Sequence, residues 1–408
     1  MQKSTMLLVG AIVWISACGG GTNDASRSEA IGNTTPGQPV EIREPDAGYA
    51  PAFEGQTRAP GVKTTTPYDV RIVTDKLTKP WGIAVLPDGR FLLTEKEGGM
   101  RIVSTDGQVS EKITGMPEVK AGGQGGLLGL VLDPDFATNR MVYWAFTEPR
   151  NGANLTAVGK GRLSADEGRI ENPQVIYRAE PAYEGDKHYG GRLLFDQSGN
   201  LYVTTADRFR PERRKHAQDQ TSGLGKILRI TKEGQAASGN PFSGEGAAIY
   251  TIGHRNIQGI ALHPQTGDLW ITEMGPQGGD ELNLIEAGKN YGWPVITYGI
   301  EYNNDTIGQG ITQQEGMEQP VYFWDPVLSP SGMTFYSGNA IPEWQNNLFI
   351  GGLNSHHIAR LVLENRRVVG EERLLADQQQ RFRAVVEGTD GALYAITDGG
   401  RLYRIGKP

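Results

Sequence analysis

The stretch QGIALHPQTGDLWITE, residues 258–273, decides the fold of this chain. It contains two short apolar strands around Thr266-Gly267-Asp268, a tripeptide that favours the tight reversal between antiparallel strands. The same pattern of a small residue, a strand, a glycine-containing turn and a second strand recurs elsewhere in the chain. The other copies are WGIAVLPDGRFLLTE (81–95), LGLVLDPDFATNRMVYWAF (128–146), GRLLFDQSGNLYVTTAD (191–207), SGMTFYSGNAIPEWQNNLFIGG (331–352) and RAVVEGTDGALYAITD (383–398).

Six such hairpins, spaced at roughly fifty to seventy residues, are typical of propeller blades with loop insertions. The 408 residues include 56 glycines and 23 prolines, which suits many short strands joined by turns. A doubly wound α/β fold would need helices between the strands, and a β-sandwich would need fewer strands. The sequence therefore predicts an all-β protein with a six-bladed β-propeller over residues 67–408. We expect GRLYRIGKP (400–408) to pair with YDVRIV (68–73) and close the ring.

Residues 1–18 resemble the export signal of a bacterial lipoprotein. The apolar run MLLVGAIVWI (6–15) is too short to span a bilayer, and it leads into Ile15-Ser16-Ala17-Cys18, which resembles a lipobox. Cys18 is the only cysteine, so an intramolecular disulfide and a thiolate metal cluster are excluded. An ordinary signal peptide with an unrelated cysteine is the alternative. The lipobox reading predicts export and a lipid anchor at a bacterial membrane, on the periplasmic side or the cell surface.

Residues 19–66 are rich in Gly, Ser, Thr, Pro, Asp and Glu and lack a sustained apolar period, which predicts a disordered tether. The net charge of −7 disfavours nucleic acid and anionic membrane surfaces as partners. We therefore expect membrane contact only through the lipid anchor.

Polar residues precede the first strand of several hairpins at the same register, and in a propeller such loops converge at one end of the channel. Taken singly, each has a structural alternative, such as a loop histidine bonded to a carbonyl or an arginine paired with a carboxylate between blades. Together, a histidine and three arginines at one channel mouth of an acidic protein indicate an anionic ligand and proton chemistry. These residues are Gln124, His188, Arg255, Asn256, Gln258, Arg381 and Arg383.

The stretch EMGPQGGDE (273–281) closes the hairpin at residues 258–273 with a turn at Gly275-Pro276. Such a turn can present consecutive backbone carbonyls, which suit Ca²⁺, a hard cation that takes oxygen ligands. A plain turn capped by Asp280 and Glu281 is the alternative that composition alone favours.

Several of these segments resemble the soluble PQQ-dependent aldose sugar (glucose/sorbosone) dehydrogenase family. The resemblance covers nearly all of residues 68–408. It implies a propeller that holds pyrroloquinoline quinone (PQQ) and Ca²⁺ at the channel mouth. It also implies oxidation of the C1 hydroxyl of aldose sugars to lactones, with electrons leaving to a quinone or a cytochrome. The segments that carry it are residues 80–103, 123–136, 190–204 and 253–294 and the Arg381/Arg383 pair.

The resemblance implies catalytic roles for residues at the channel mouth. His188 looks like the general base that takes the proton of the anomeric hydroxyl, and Asp207 looks like the carboxylate that orients it. Gln124 resembles the glutamine near substrate and cofactor. Arg255 and Asn256 resemble the pair beside the reactive quinone oxygen.

The resemblance also implies residues that hold the cofactor and the metal. Gly275 and Pro276 resemble the residues whose backbone carbonyls bind Ca²⁺. Arg381 and Arg383 resemble the arginines that hold the cofactor's carboxylates. The chain departs from the family at Asn354, where a lysine that contacts the cofactor is often found.

Two other functions fit the same channel mouth. One is a propeller that binds a sugar or a protein without catalysis. The other is a Ca²⁺-dependent lactonase, which would need carboxylates around the metal. The order of the motifs favours the dehydrogenase.

The lipid anchor predicts that Cys18→Ser leaves the precursor unprocessed or releases the protein as a soluble species, because no thiol remains to carry the acyl chain. Membrane fractionation and mass spectrometry of the N-terminal peptide measure this. Wild-type protein found entirely in the soluble fraction, with no acyl chain on Cys18, would contradict the anchor.

Overall fold

The computed structural model describes residues 37–408, so the predicted signal peptide (1–18) and residues 19–36 of the predicted tether lie outside the described residues. The described chain is almost entirely β-structure. Its strands are β1 Asp69–Thr74, β2 Pro80–Val85, β3 Phe91–Glu95, β4 Met100–Val103, β5 Leu127–Leu132, β6 Met141–Arg150, β7 Ala153–Leu163, β8 Ile170–Arg178, β9 Leu193–Phe195, β10 Leu201–Thr204, β11 Ile227–Ile230, β12 Ile249–Thr251, β13 Ile257–Leu262, β14 Leu269–Glu273, β15 Asp280–Ile285, β16 Tyr322–Trp324, β17 Pro330–Phe335, β18 Leu348–Gly352, β19 Ile358–Glu364, β20 Arg367–Leu374, β21 Phe382–Glu387, β22 Leu393–Thr397 and β23 Leu402–Gly406.

Helices are short within residues 37–408. There is one α-helix, α1 Phe136–Asn139, and the 3-10 helices are Pro211–Ala217, Gly244–Gly246, Pro342–Trp344 and Ala376–Gln378. No helix in this part of the chain is long and apolar enough to cross a membrane.

The strands form six antiparallel sheets, which confirms the predicted six-bladed β-propeller. Blade 1 is β2–β4, blade 2 is β5–β8, blade 3 is β9–β12, blade 4 is β13–β16, blade 5 is β17–β20, and blade 6 is β21–β23 with β1. The six hairpins recognised in the sequence are the first two strands of the six blades. Buried side chains such as Leu92 of blade 1 and Trp144 of blade 2 pack together between neighbouring blades.

The two ends of the described domain close the ring. Strand β1 pairs antiparallel with β23, from Asp69 opposite Gly406 to Thr74 opposite Leu402. The outermost strand of blade 6 therefore comes from the start of the propeller domain, as the sequence predicts. This pairing satisfies an edge that would otherwise expose unpaired backbone groups.

Glycine near the start of the first strand allows neighbouring blades to approach closely around the channel. A β-carbon on Gly129 would lie 2.4 Å from the carbonyl oxygen of Gly191, and one on Gly259 would lie 2.6 Å from that of Ser331. Real β-carbons do not come this close to backbone atoms, so a side chain at either position would push two blades apart.

Residues 37–66, predicted as part of a disordered tether, instead pack against blades 4 and 5. The backbone N–H groups of Asp46, Ala47 and Gly48 donate to the buried carboxylate of Asp325 over distances of 2.6–3.3 Å. Val40 is also buried, with 2% of its surface exposed. The prediction of disorder is therefore wrong for residues 37–66, because backbone hydrogen bonds to a carboxylate hold a segment that lacks an apolar period.

Asp325→Ala should release this N-terminal segment, because three backbone donors lose a charged acceptor. We expect the free energy of unfolding to fall by about 1–3 kcal/mol and proteolysis near residues 46–48 to become faster. Denaturant titration and limited proteolysis measure the two effects. The exposed Asp75 offers a matched control, since Asp75→Ala should change neither; equal behaviour of the two variants would refute this account of the segment.

Candidate active site at the channel mouth

A cavity with a volume of about 500 Å³ lies at the end of the channel where the loops before the inner strands meet. Asp207, the predicted orienting carboxylate, does not line the cavity; it lies behind His188 and is fully buried. The structure thus brings residues that are far apart in sequence to one place. The predicted residues that line the cavity are Gln124, His188, Arg255, Asn256, Gln258, Gly275, Pro276, Arg381 and Arg383.

His188 and Asp207 form a buried pair at one side of the cavity. Nδ1 of His188 lies 2.7 Å from Oδ1 of Asp207. The other Asp207 oxygen accepts the indole N–H of Trp293 at 2.9 Å, and Oδ1 also accepts the backbone N–H of Phe209 at 2.8 Å. These donors fix the carboxylate, which in turn fixes the imidazole and assigns the proton to Nδ1. Nε2 is then the ring nitrogen left to accept a proton from a ligand.

The environment keeps the imidazole neutral. Burial lowers the pKa of His188 below its ordinary value, and the positive charge of Arg255 lowers it further, against the opposing effect of Asp207. Burial alone would raise the pKa of Asp207, but its interactions with His188 and Arg255 outweigh burial and bring that pKa below the usual range. A neutral imidazole beside an ionised carboxylate is the state that a general base requires.

The backbone of His188 is held in the left-handed region, at φ 53°. Its N–H donates to Oε1 of Gln124 at 2.8 Å, and the N–H of Gln124 donates to the carbonyl of Asp186 at 2.7 Å. A non-glycine residue in this region is strained, and such strain is common at functional sites. Gln124 of the loop before blade 2 thus supports the histidine of the loop before blade 3.

Arg255 lies next to the buried pair, since its carbonyl accepts the backbone N–H of Asp207 at 2.9 Å, and it is anchored from two sides. Its N–H donates to Oε2 of Glu273 at 2.6 Å, and the other Glu273 oxygen lies 2.9 Å from Nδ1 of His254. Its Nη1 donates to the carbonyls of Met274 at 2.8 Å and Gly275 at 2.5 Å. Buried Glu273 therefore fixes the loop, and the guanidinium is fixed along the turn after β14.

Asp280 fixes the backbone of the Gly275-Pro276 turn by hydrogen bonding. The Asp280 carboxylate accepts the N–H of Gly275 at 2.8 Å and the N–H of Ser329 at 2.6 Å. Burial raises the pKa of Asp280 to about 7, although these two hydrogen bonds oppose the shift. Residues 37–408 contain no group of three or more His, Cys, Asp or Glu side chains that could hold a metal ion. The turn itself offers backbone carbonyl oxygens, and Asp280 lines the cavity beside it.

A cationic wall faces the cavity from blades 6 and 1. Asp398 pairs with both predicted arginines, at 3.0 Å from Nε of Arg381 and 2.8 Å from Nε of Arg383. Asn354 also lines the cavity, at the place where the family often has a lysine. A lysine that the sequence analysis did not select, Lys96, lines the cavity from blade 1.

The position of Lys96 relative to the start of its strand could have identified it from the sequence. It comes five residues after the start of β3, and Met274, Leu353 and Asp398 come five residues after the starts of β14, β18 and β22. All four line the cavity. In four of the six hairpins, the position after the second strand therefore belongs to a second set that converges on the channel mouth.

Two aromatic residues near His188, the predicted general base, were also not identified from the sequence. The ring of Phe209 lies 5.0 Å from that of His188, edge to face, and 6.5 Å from that of Tyr302. Arg208 and Phe209 both have positive φ, at 64° and 71°, and this strained turn follows Asp207 directly. Tyr302 is exposed at the cavity mouth, with 61% of its surface accessible. No motif marks these rings, because they lie on insertions outside the hairpin pattern.

The sequence model of the Glucose / Sorbosone dehydrogenase family matches residues 77–404, which include every predicted site residue. This chain belongs to that family. The aldose sugar dehydrogenase YliI of Escherichia coli (strain K12) is 39% identical over 345 residues, covering 83% of this chain and 92% of that protein.

Solved structures of related proteins show the same fold, and the match covers nearly the whole of each of those chains. A crystal structure of a glucose dehydrogenase is 42% identical with a TM-score of 0.79, covering 83% of this chain and 99% of that chain. The PQQ-bound form of an aldose sugar dehydrogenase from Streptomyces coelicolor is 29% identical with a TM-score of 0.70, covering 84% of this chain and 99% of that chain. The family likeness thus spans the whole propeller domain.

Proposed function

We propose that this protein is a PQQ-dependent dehydrogenase that oxidises the C1 hydroxyl of aldose sugars to lactones. The observation that carries the proposal is the His188–Asp207 pair, with its 2.7 Å hydrogen bond, beside a cavity lined by cations. A neutral base and a cationic binding wall in one space suit proton abstraction next to an anionic cofactor. Two relatives support this: one is named an aldose sugar dehydrogenase, and the other was solved in its PQQ-bound form.

The residues present fit PQQ, an aromatic quinone that carries carboxylates. Four cations, Lys96, Arg255, Arg381 and Arg383, line the cavity together with two carboxylates, Asp280 and Asp398, so cations are in excess there. The volume of about 500 Å³ is in the range of small-molecule sites. When bound, PQQ supplies the acceptor for the hydride and its electron pair.

The protein's own residues would manage the sugar and its proton. Nε2 of His188 takes the proton of the C1 hydroxyl, and the ionised Asp207 stabilises the imidazolium that results. Arg255 holds a fixed positive charge at the cavity wall, where it can stabilise negative charge that develops during the reaction. Phe209 and Tyr302 offer apolar ring surface beside the base, against which the apolar face of a sugar can pack.

We propose Ca²⁺ as a second bound group, at the carbonyls of Gly275 and Pro276. The oxygen donors suit this cation, but the Gly275 carbonyl already accepts from Arg255 at 2.5 Å. An ion would therefore compete with Arg255 for that oxygen and would take most of its ligands from the cofactor and from water.

The two alternatives differ from this proposal in the site they need. A lactonase that uses Ca²⁺ would need carboxylates around the ion, and residues 37–408 contain no such cluster. A propeller that only binds sugar would not need a buried Asp–His pair with a lowered imidazole pKa. We further propose that the protein is exported and lipid-anchored through Cys18, and that it passes electrons to a quinone or a cytochrome.

Titration of the purified protein with PQQ and Ca²⁺ tests the proposed function. We expect saturable binding, an absorbance spectrum of bound quinone that an aldose bleaches, and formation of one lactone per quinone reduced. Exhaustive chelation should remove activity, and Ca²⁺ with PQQ should restore it. A protein that binds the sugar but never bleaches the quinone would be a binding propeller, and activity that survives chelation would exclude the metal.

His188→Ala should still bind PQQ, because the cationic wall is unchanged, and should lower kcat by about 10²–10⁴-fold. In the wild type, kcat/KM should fall as pH decreases through a value below 6.5, because burial and Arg255 lower the pKa of His188 and only the neutral ring accepts a proton. Rates measured per PQQ-loaded site, beside a melting curve, test both points. Near-normal turnover with a lowered melting temperature would make His188 a purely structural residue.

A further inference from the structure

Lys96 lies where β3 ends in blade 1, and its backbone is fixed on both sides. Its N–H donates to the carbonyl of Lys79 at 3.1 Å, and its carbonyl accepts the N–H of Leu127 at 2.9 Å. Its Nζ donates to the carbonyl of Gly123, the neighbour of Gln124. The ammonium group is therefore placed at the cavity wall by a rigid strand end and by the loop that supports the base.

Lys96 forms no salt bridge with a carboxylate of the described residues. Arg381 and Arg383 share the carboxylate of Asp398, whereas none of the carboxylates in residues 37–408 lies within salt-bridge distance of Lys96. Burial, and then the positive charge of Arg383, lower the pKa of Lys96 below its ordinary value, because they outweigh the opposing charges of Asp398 and Asp186. A half-buried cation without a direct ion-pair partner is costly unless an anion from outside the chain completes its environment.

We propose that Lys96 binds a carboxylate of the cofactor and supplies, from blade 1, the cation that blade 5 lacks at Asn354. This inference rests on the proposed function and adds a binding residue to it. Both Lys96 and Asn354 line the same cavity, so a cation from either blade reaches the same space.

The test compares PQQ affinity among variants by equilibrium titration in the presence of Ca²⁺, with absorbance of the bound quinone as the readout. Lys96→Met keeps the length of the side chain and removes its charge. The matched control is Lys79→Met, which removes the same charge from blade 1 at an exposed residue that pairs with Glu97 on the surface. Melting curves report the folding of each variant, and Lys96→Gln serves the same comparison if Lys96→Met is unstable.

We expect Lys96→Met to weaken PQQ binding by about 10- to 100-fold, in line with the loss of one hydrogen bond between charged groups. Its affinity should also depend less steeply on salt, whereas Lys79→Met should match the wild type. Asn354→Lys, added to Lys96→Met, should restore most of the lost affinity by returning the charge from blade 5.

The outcomes separate the two proposals. If the wild type binds PQQ and Lys96→Met binds it equally well, the role of Lys96 is wrong and the proposed function stands. If Lys96→Met binds weakly but Asn354→Lys restores nothing, Lys96 acts through the Gly123 loop rather than through its charge, and the inference is again overturned. If the wild type does not bind PQQ at all, the proposed function fails and the inference fails with it.

Discussion

One buried arginine connects the blades at the centre of the propeller. Arg192 of blade 3 donates to the carbonyl of Gln258 in blade 4 and to that of Arg383 in blade 6, each at 2.7 Å. Its guanidinium also lies 3.9 Å from the centre of the Trp81 ring in blade 1. A buried guanidinium needs such acceptors, and here they come from residues that flank or line the cavity. The glycines that let the inner strands approach one another make this convergence possible, and the geometry of the site depends on it.

The charges around the cavity divide into two groups with different tasks. Asp398 neutralises part of the charge of the cationic wall. Asp207 instead orients His188 and takes no part in binding an anion. Arg255 links the two groups, because its charge favours an anionic ligand and also helps to keep the imidazole neutral. An acidic protein can therefore present a local cationic site together with a working base.

Residues 37–66, which precede the propeller, also contact a loop near the site. A β-carbon on Gly278 would lie 2.8 Å from Oδ1 of Asp325 and 3.2 Å from the β-carbon of Ala47. The N-terminal segment therefore contacts the loop that follows the Gly275-Pro276 turn. Residues 37–66 thus form part of the support of the site, instead of serving only as a spacer.

The sequence by itself determined the blades, the ring closure and nine of the residues that line the cavity. Periodic hairpins with turn residues specify blades, and a common register before the inner strands places Gln124, His188 and Arg255 at one mouth. Family motifs added Asp207, which has no such register. These features are local or repeated, so a linear pattern records them.

Only the tertiary structure decided how charge is distributed and what holds the segment before β1. Lys96 belongs to the site because blade 1 lies next to blade 6, and Phe209 belongs to it because a strained turn directs the ring toward His188. Residues 37–66 are ordered because Asp325, far away in sequence, accepts their backbone N–H groups. Each of these contacts joins residues with no shared period, and their energies depend on burial and distance, which a linear pattern does not contain.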